Sequence, residues 1–270
     1  MSPPTIVGAV VVRNEDLWIE AAIRNVAAFC DVIHVADNGS TDGTWEILVG
    51  LERELDHLEL RRIDDIVESQ DLVSGYVGRN VWVFGVDGDE VYDPVGLQTL
   101  REELHAEKYR DRWRIKSNVL NAVAVDLAAD TATGYLAPPA RPITKLFNFA
   151  ALDAWTGPFI QVLHGSGLGF REGFADGLSE NIGDRLDWHA SYFRCVHCCF
   201  VPRSTLDRPG DASRGRPNAE DLHRAAHGGI RDRLARFRPR SRSRWKNHAY
   251  RRGPLTTIDL SPFLAVSRST

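Results

Sequence analysis

The stretch Asn80-Val81-Trp82-Val83-Phe84-Gly85-Val86-Asp87-Gly88-Asp89-Glu90 sets the reading of this chain. A short apolar run, rich in β-branched and aromatic residues, drives straight into a cluster of acids. Such a run reads as a strand covered on both faces, as in parallel sheets, rather than one with a solvated face. Open parallel sheets bind ligands beyond the carboxyl ends of their strands. The D-G-D-E that follows Val86 falls at such an end.

Two earlier strands end the same way. Val7–Val12 runs into Arg13-Asn14-Glu15-Asp16, and Val32–Ala36 runs into Asp37-Asn38-Gly39-Ser40. Between them, Asp16–Phe29 carries Ile19, Ala22, Ile23, Val26 and Cys30 at helical spacing. A second helix opens at Trp45 with Leu48, Leu51, Leu55 and Leu58 on one face, and Leu58–Ile63 reads as a third strand. Pro94 suits the first turn of a helix bearing Leu97, Leu100 and Leu104. Trp113–Val119 and Ile143–Phe149 read as later strands. This alternation predicts an α/β fold, a Rossmann-like, mostly parallel sheet flanked by helices.

With 270 residues, 43% hydrophobic and 26% charged, the composition is that of a globular domain. The longest apolar stretches fall far short of the ~20 residues a spanning helix needs. No basic segment precedes Ile6–Val12, so no secretory signal is readable and a cytoplasmic location is expected. The net charge of −4 is unevenly spread: residues 1–135 carry −13 and residues 136–270 carry +9. Nine Arg and one Lys fall within Arg231–Arg252. That run reads as a solvated extension rather than a nucleic-acid surface, because only Phe237, Trp245 and Tyr250 interleave it. Pro202–Asn218, rich in Pro, Gly, Ser and Arg, reads as a linker. The expected organisation is a domain over 1–201, with a nucleotide half to about 110 and an acceptor half over 111–201. A linker and basic extension follow over 202–270. Cys195-x-x-Cys198, near His189 and His197, lacks the second ligand pair of a structural zinc site, so buried thiols are expected.

Asp87 and Asp89 stand two apart, which on an extended chain aims both carboxylates to one side. With glycine between them they suit a hard divalent cation and leave room for a phosphate. A polar turn after a strand accounts for the same letters. Asp37-Asn38-Gly39-Ser40 is likewise turn chemistry, with Ser40, Thr41 or Asp42 available as a helix cap, yet Asp37 also stands where a carboxylate can meet a base or ribose.

Taken together, Val11-Val12-Arg13-Asn14-Glu15, Val35–Thr44 and Val86-Asp87-Gly88-Asp89-Glu90 resemble, in order and spacing, glycosyltransferase family 2 type enzymes of the GT-A fold, over about residues 5–105. The resemblance implies a nucleotide diphosphate sugar donor, UDP-linked, and a small-molecule or glycan acceptor. Val12, Asn14 and Glu15 would line the nucleotide pocket, Asp37 would contact the base, and Arg79 the nucleotide. Asp87 would serve ribose and metal, and Asp89 would ligate Mn²⁺ or Mg²⁺ directly, with His189 closing the metal shell. Downstream, Lys145-Leu146-Phe147-Asn148, Trp155 and His164-Gly165 resemble a family stretch that often reads His-Glu; Gly165 replaces the Glu. An inverting transfer needs a general base, and Glu180 and Asp187 are the candidates.

A rival resemblance exists. Val83–Val91 also fits the D-x-D-x-V of haloacid-dehalogenase-type phosphatases, with Asp87 as nucleophile, Asp89 as acid/base and Gly183–Asp187 as a distal acidic motif. That motif opens such domains, whereas here two β-α units precede it. A dinucleotide oxidoreductase is excluded by the absence of G-x-G-x-x-G after the first strand.

Overall fold

In the computed structural model, which describes residues 2–160, 163, 167–207, 223 and 248–264, strands β1 (Thr5–Val12), β2 (Val32–Asp37), β3 (Leu58–Arg62) and β4 (Val81–Val86) lie parallel in the order β3-β2-β1-β4. Alternation along β1 explains its unbroken apolar sequence. Ile6, Val10 and Val12 pack under α1 (Ile19–Ala27), α2 (Thr44–Glu54) and α3 (Pro94–His105), while Val7 and Ala9 face a second core with Trp113, Phe147 and Phe149. A strand covered on both sides has no position for a polar residue until it leaves the sheet. Helix α3 starts where Pro94 fits the first turn and Asp93 accepts from Val95 N and Gly96 N, both at 3.1 Å.

The expected parallel nucleotide half is thus in place. Beyond it come β5 (Glu90–Tyr92), β6 (Arg114–Asp126), β7 (Thr131–Leu136) and β8 (Ile143–Asn148). Strand β8 pairs antiparallel with β4 and with the first part of β6, and the later part of β6 pairs with β7. β9 (Leu152–Trp155) and β10 (Leu168–Phe170) form a separate pair. β11 (Ser179–Asn181) and β12 (Arg194–His197) run parallel to β6, and β12 also pairs antiparallel with β5. Phe84 packs edge-on to Phe29 and Tyr92, with centroids 5.2 and 4.8 Å away, and Phe193 stacks on Tyr92. These rings, each pair worth about 0.5–1.5 kcal/mol beyond area burial, clamp β4, β5 and the start of β12 together and so fix the turn between Val86 and Glu90.

The domain boundary expected after residue 201 is not where the chain divides. β13 (Leu255–Asp259) pairs with β7, and Leu260 together with Phe263 and Leu264 of α4 (Ser261–Leu264) is buried with Trp18, Trp188 and Val196. Asn25 of α1 donates to both Tyr92 O and Phe263 O. Residues 248–264 therefore complete the sheet rather than trail from it. Most of Arg231–Arg252 lies outside the described residues, as does His164-Gly165. Among the described residues, no helix is long and apolar enough to cross a membrane.

Candidate functional site

The loops after β1 and β2 are stapled to one another. Asn14 takes a left-handed conformation (φ 54°), which Asn tolerates better than most residues. Its Oδ1 accepts from Thr41 N at 2.7 Å and its own N–H donates to Ser40 Oγ at 3.0 Å; Glu15 N–H donates to Thr44 Oγ1 at 2.8 Å. Asp37, fully buried, accepts from Ser40 N at 3.2–3.3 Å and lies 3.7 Å from Arg62 Nε. The Arg62 guanidinium rests on the Trp45 ring, 4.2 Å from its centroid. Asp37 is thus a turn acceptor and also the acid at the mouth of β2.

Four acids converge where β1 and β4 end: Glu15, Asp87, Asp89 and Glu90. Residues 88–89 form a turn, with Glu90 N donating to Asp87 O at 3.1 Å, so the two aspartates do not share one side as an extended chain would have them. Asp87 is half-exposed (46% for its side chain) and reaches Lys145 Nζ at 2.7 Å; Asp89 is buried (6%) and faces Arg203 Nη1 at 3.7 Å and His197 Nε2 at 3.8 Å. Lys145 also reaches Glu90 at 3.1 Å, and Arg203 reaches Glu15 at 2.8 Å. Gly88 is required by space. A Cβ there would lie 2.1 Å from Glu15 Oε2 and 3.2 Å from Val12 Cγ2, so Val12 and Glu15 form the floor under the D-G-D turn.

The charges divide by their neighbours. Desolvation pushes Asp87 up, but Lys145 outweighs it and holds the carboxyl below its usual range. Desolvation lifts Glu90 to about 8 despite Lys145. Glu15 is raised well above the carboxylate range by burial and by the other acids, against the pull of Arg203. Burial lowers Lys145 and Arg203, and the surrounding carboxylates more than reverse it.

The donors fit a hard divalent ion. His197 Nδ1 lies 3.1 Å from Asn121 Oδ1, and its Nε2 lies 3.8 Å from Asp89 Oδ1. Among the described residues no three His, Cys, Asp or Glu side chains are grouped for a metal, so the remaining positions belong to water and phosphate oxygens, the habit of Mg²⁺. Cys195, Cys198 and Cys199 are buried and outside any disulfide. Burial pushes the Cys195 and Cys198 thiols up.

Several expected residues are not brought to this cluster. His189 is exposed, its N–H bonded to Asp187 Oδ1 within its own turn. The histidine beside Asp89 is His197, placed by the β12–β5 pairing. Asp187 accepts from His189 N and Ala190 N, both at 2.9 Å. Glu180 lies on β11 opposite Ile115; Ile115 faces Leu146, and Leu146 faces Phe84. Three strand spacings, roughly 14 Å, therefore separate Glu180 from β4, and it is engaged by Arg185 at 2.6 Å and Arg112 at 3.6 Å. Arg79 sits two residues before β4, at the amino end of the sheet, beside a cleft of about 450 Å³ lined by His34, Arg61 and Tyr76. A residue that close to the start of the strand whose far end bears Asp87 cannot share its rim. The distal acids of the phosphatase reading are engaged locally, Asp184 by Asn181 and Asp187 by the N–H groups of His189 and Ala190. Lys145 and Arg203, both in the cluster, carried no role in the sequence reading.

No family model matches the chain, and no curated protein matches it. Among solved structures it is similar to glucosyl-3-phosphoglycerate synthase from Mycobacterium tuberculosis in complex with Mn²⁺, uridine-diphosphate-glucose and phosphoglyceric acid. That match has 21% identity and a TM-score of 0.31, over 43% of this chain and 44% of that one. The same synthase with Mg²⁺ and uridine diphosphate gives the same values. A structure described as a mycobacterial protein is 19% identical with a TM-score of 0.33, covering 43% of this chain and 41% of its own. The chain thus spans less than half the length of each of these proteins.

Proposed function

We propose that this chain is a glycosyltransferase of family 2 type that moves a sugar from a UDP-linked donor to a hydroxyl of a small-molecule or glycan acceptor, with Mn²⁺ or Mg²⁺. The observation that carries the reading is the joint mouth of β1, β2 and β4. There Asp37 is buried at the end of β2, Asp89 and His197 lie 3.8 Å apart, and Lys145 and Arg203 supply positive charge beside the acids, which supports the reading. In the transfer, the sugar's anomeric carbon loses its bond to the diphosphate oxygen and gains one to the acceptor oxygen, and the acceptor proton passes to a base. Asp89 and His197 would hold the divalent ion, which would supply Lewis-acid stabilisation of negative charge on the diphosphate. Lys145 and Arg203 add fixed positive charge at a water-poor rim, where it acts more strongly than in bulk solvent. The transfer is proposed as inverting. Glu180, three strands from β4 and engaged by Arg185 and Arg112, is disfavoured as its base.

A thermal-shift panel of nucleoside diphosphates with and without Mn²⁺ tests this. Uridine diphosphate at a hundredfold excess over its Kd stabilises a folded protein by about 2.7 kcal/mol, and the shift is expected to vanish on chelation. No metal-dependent shift with any nucleoside diphosphate, together with a fluoride adduct at Asp87 and phosphate release from simple monoesters, would replace the transferase by the phosphatase.

A further inference from the structure

The cleft of about 450 Å³ beside Arg79 lies on the face of β2 and β3 turned away from α1 and α2. Ile33 and Val35 on β2 and Leu58 on β3 pack in the core beneath those helices, so the alternate residues His34, Glu59 and Arg61 project from the other face. Nearer the middle of the sheet that face is apolar and carries Val7, Ala9 and Val83. His34 is the one polar residue within β2 before Asp37. Its ring is held at both nitrogens, with Nε2 2.8 Å from Tyr76 Oη and Nδ1 3.0 Å from Glu59 Oε2. Two short 3₁₀ turns, Ile66–Leu72 and Ser74–Tyr76, add Asp71 and Tyr76 to the lining. Arg79 follows them from a fixed turn. Gly78 adopts φ 77° and its N–H donates to Phe149 O at 3.0 Å, and Arg79 N–H donates to Tyr76 O at 3.0 Å.

The charges in this cleft are unevenly committed. Glu59 is taken by His34. Arg61 donates through Nη2 to Glu68 O at 2.7 Å, and its Nε is buried without a hydrogen-bond partner among the described residues. Arg79 makes no side-chain hydrogen bond there, and neither guanidinium has an ion pair among the described residues, whereas Arg24 and Arg101 are paired with Glu20 and Asp31. Asp71 is likewise unpaired among them. Two unpaired guanidinium groups in one concavity attract an oxyanion, and their planar forks match phosphate oxygens. A bare anion would be repelled by Asp71, but hydroxyl groups on the same molecule would donate to it. The volume falls within the roughly 300–1,000 Å³ of small-molecule sites. We propose that this cleft is a second ligand site, which takes a small phosphate monoester bearing free hydroxyls, a sugar phosphate, with Arg61 and Arg79 on the phosphate and Asp71 on the hydroxyls. Arg79 precedes the first residue of β4 and Asp87 follows its last, so the site is separate from the acid cluster and does not depend on the donor-site reading.

Ribose 5-phosphate, inorganic phosphate and ribose serve as probes, titrated by calorimetry into the full chain with divalent metal chelated. Ribose 5-phosphate is expected to bind, inorganic phosphate to bind more weakly and ribose not to bind. Arg79→Gln alters an exposed side chain that makes no side-chain bond among the described residues, so the fold is expected to persist. Arg61→Gln keeps an N–H able to meet Glu68 O. Each variant should weaken ribose 5-phosphate by about tenfold, the low end for a charged hydrogen bond. Asp71→Ala should draw the two phosphate affinities together, weakening ribose 5-phosphate and tightening inorganic phosphate. Those opposite signs are the signature, since general loosening of the fold weakens both. The assignment is overturned if ribose 5-phosphate does not bind, if it binds both arginine variants with unchanged affinity, or if the unaltered protein binds it no better than inorganic phosphate. Metal-dependent binding of uridine diphosphate decides the donor site separately from all of these outcomes.

Discussion

Replacing Gly88 by alanine puts the packing of the acid cluster to a quantitative test. The new Cβ would lie 2.1 Å from Glu15 Oε2, 3.1 Å from Ile19 Cδ1 and 3.2 Å from Val12 Cγ2. Non-bonded carbon and oxygen do not approach so closely, so the carboxylate must withdraw by about 1 Å. Glu15 has little freedom to do so, because its other oxygen is 2.8 Å from Arg203 and the side chain is buried. Overpacking of this kind costs about 1–3 kcal/mol, and loosening a buried ion pair moves the expected cost to the upper part of that range. The backbone at residue 88 is outside the left-handed region, so strain adds nothing. Urea denaturation should show stability lowered by about 2–3 kcal/mol with an unchanged m value. In a Glu15→Ala background the worst contact is gone and only the Ile19 and Val12 tips must yield; there the substitution should cost about 1 kcal/mol or less. Equal costs in the two backgrounds, or a cost below about 0.5 kcal/mol in the parent, would refute the picture of Glu15 seated directly under the D-G-D turn.

Other expectations bear on the chemistry. Asp89→Asn should abolish metal-dependent uridine diphosphate binding in thermal-shift assays while the circular dichroism spectrum is retained; persistence of the metal effect removes Asp89 from the ion. His197→Ala should weaken Mn²⁺ binding by about tenfold or more, and His189→Ala should not; the reverse order would reinstate His189. Asp37→Ala should cost nucleotide affinity about 1.5–3 kcal/mol by calorimetry, and stability about 1 kcal/mol for the lost Ser40 bond. An affinity change no larger than the stability change reduces Asp37 to a turn residue. Glu180→Gln should leave turnover within about twofold, since a general base contributes about a hundredfold or more; a loss on that larger scale would restore it as the base.

The parts of the fold legible in the sequence are those whose signal is local. β1 and β4 are unbroken apolar runs because both faces are covered, β2 is one apart from His34, and α1 and α3 declare themselves through apolar spacing and, for α3, Asp93-Pro94. β5, β11 and β12 are three or four residues long and exist only through partners distant in the chain, so no window of sequence contains their cause. β13, Leu255-Thr256-Thr257-Ile258-Asp259, is half polar and follows an Arg-rich run that reads as a tail. The site divides in the same way. Glu15, Asp37, Asp87 and Asp89 sit at ends of legible strands and are found from them. His197 and Arg203 arrive on β12 and the segment after it, and only the β12–β5 pairing shows that His197 and not His189 faces Asp89. Arg79 stands two residues before β4, at the opposite end of that strand from Asp87.

The late arrival of β12 has a consequence for how the protein is made. β1 to β4, with α1 and α2, are complete once residue 86 has been synthesised, and their contacts are local enough to form early. At their carboxyl ends Asp87 and Glu90 gain Lys145 first, whereas Glu15 and Asp89 gain Arg203 and His197 only when residues 197 and 203 emerge, more than a hundred residues later, and β13 closes the sheet later still. A nascent chain held at about residue 150 would therefore carry a folded parallel core in which Lys145 can meet Asp87 and Glu90 while Glu15 and Asp89 still await the arginine and the histidine. Completion of the candidate site and completion of the chain are close to the same event, so truncated products of this chain would be expected to expose the acids without acquiring the chemistry.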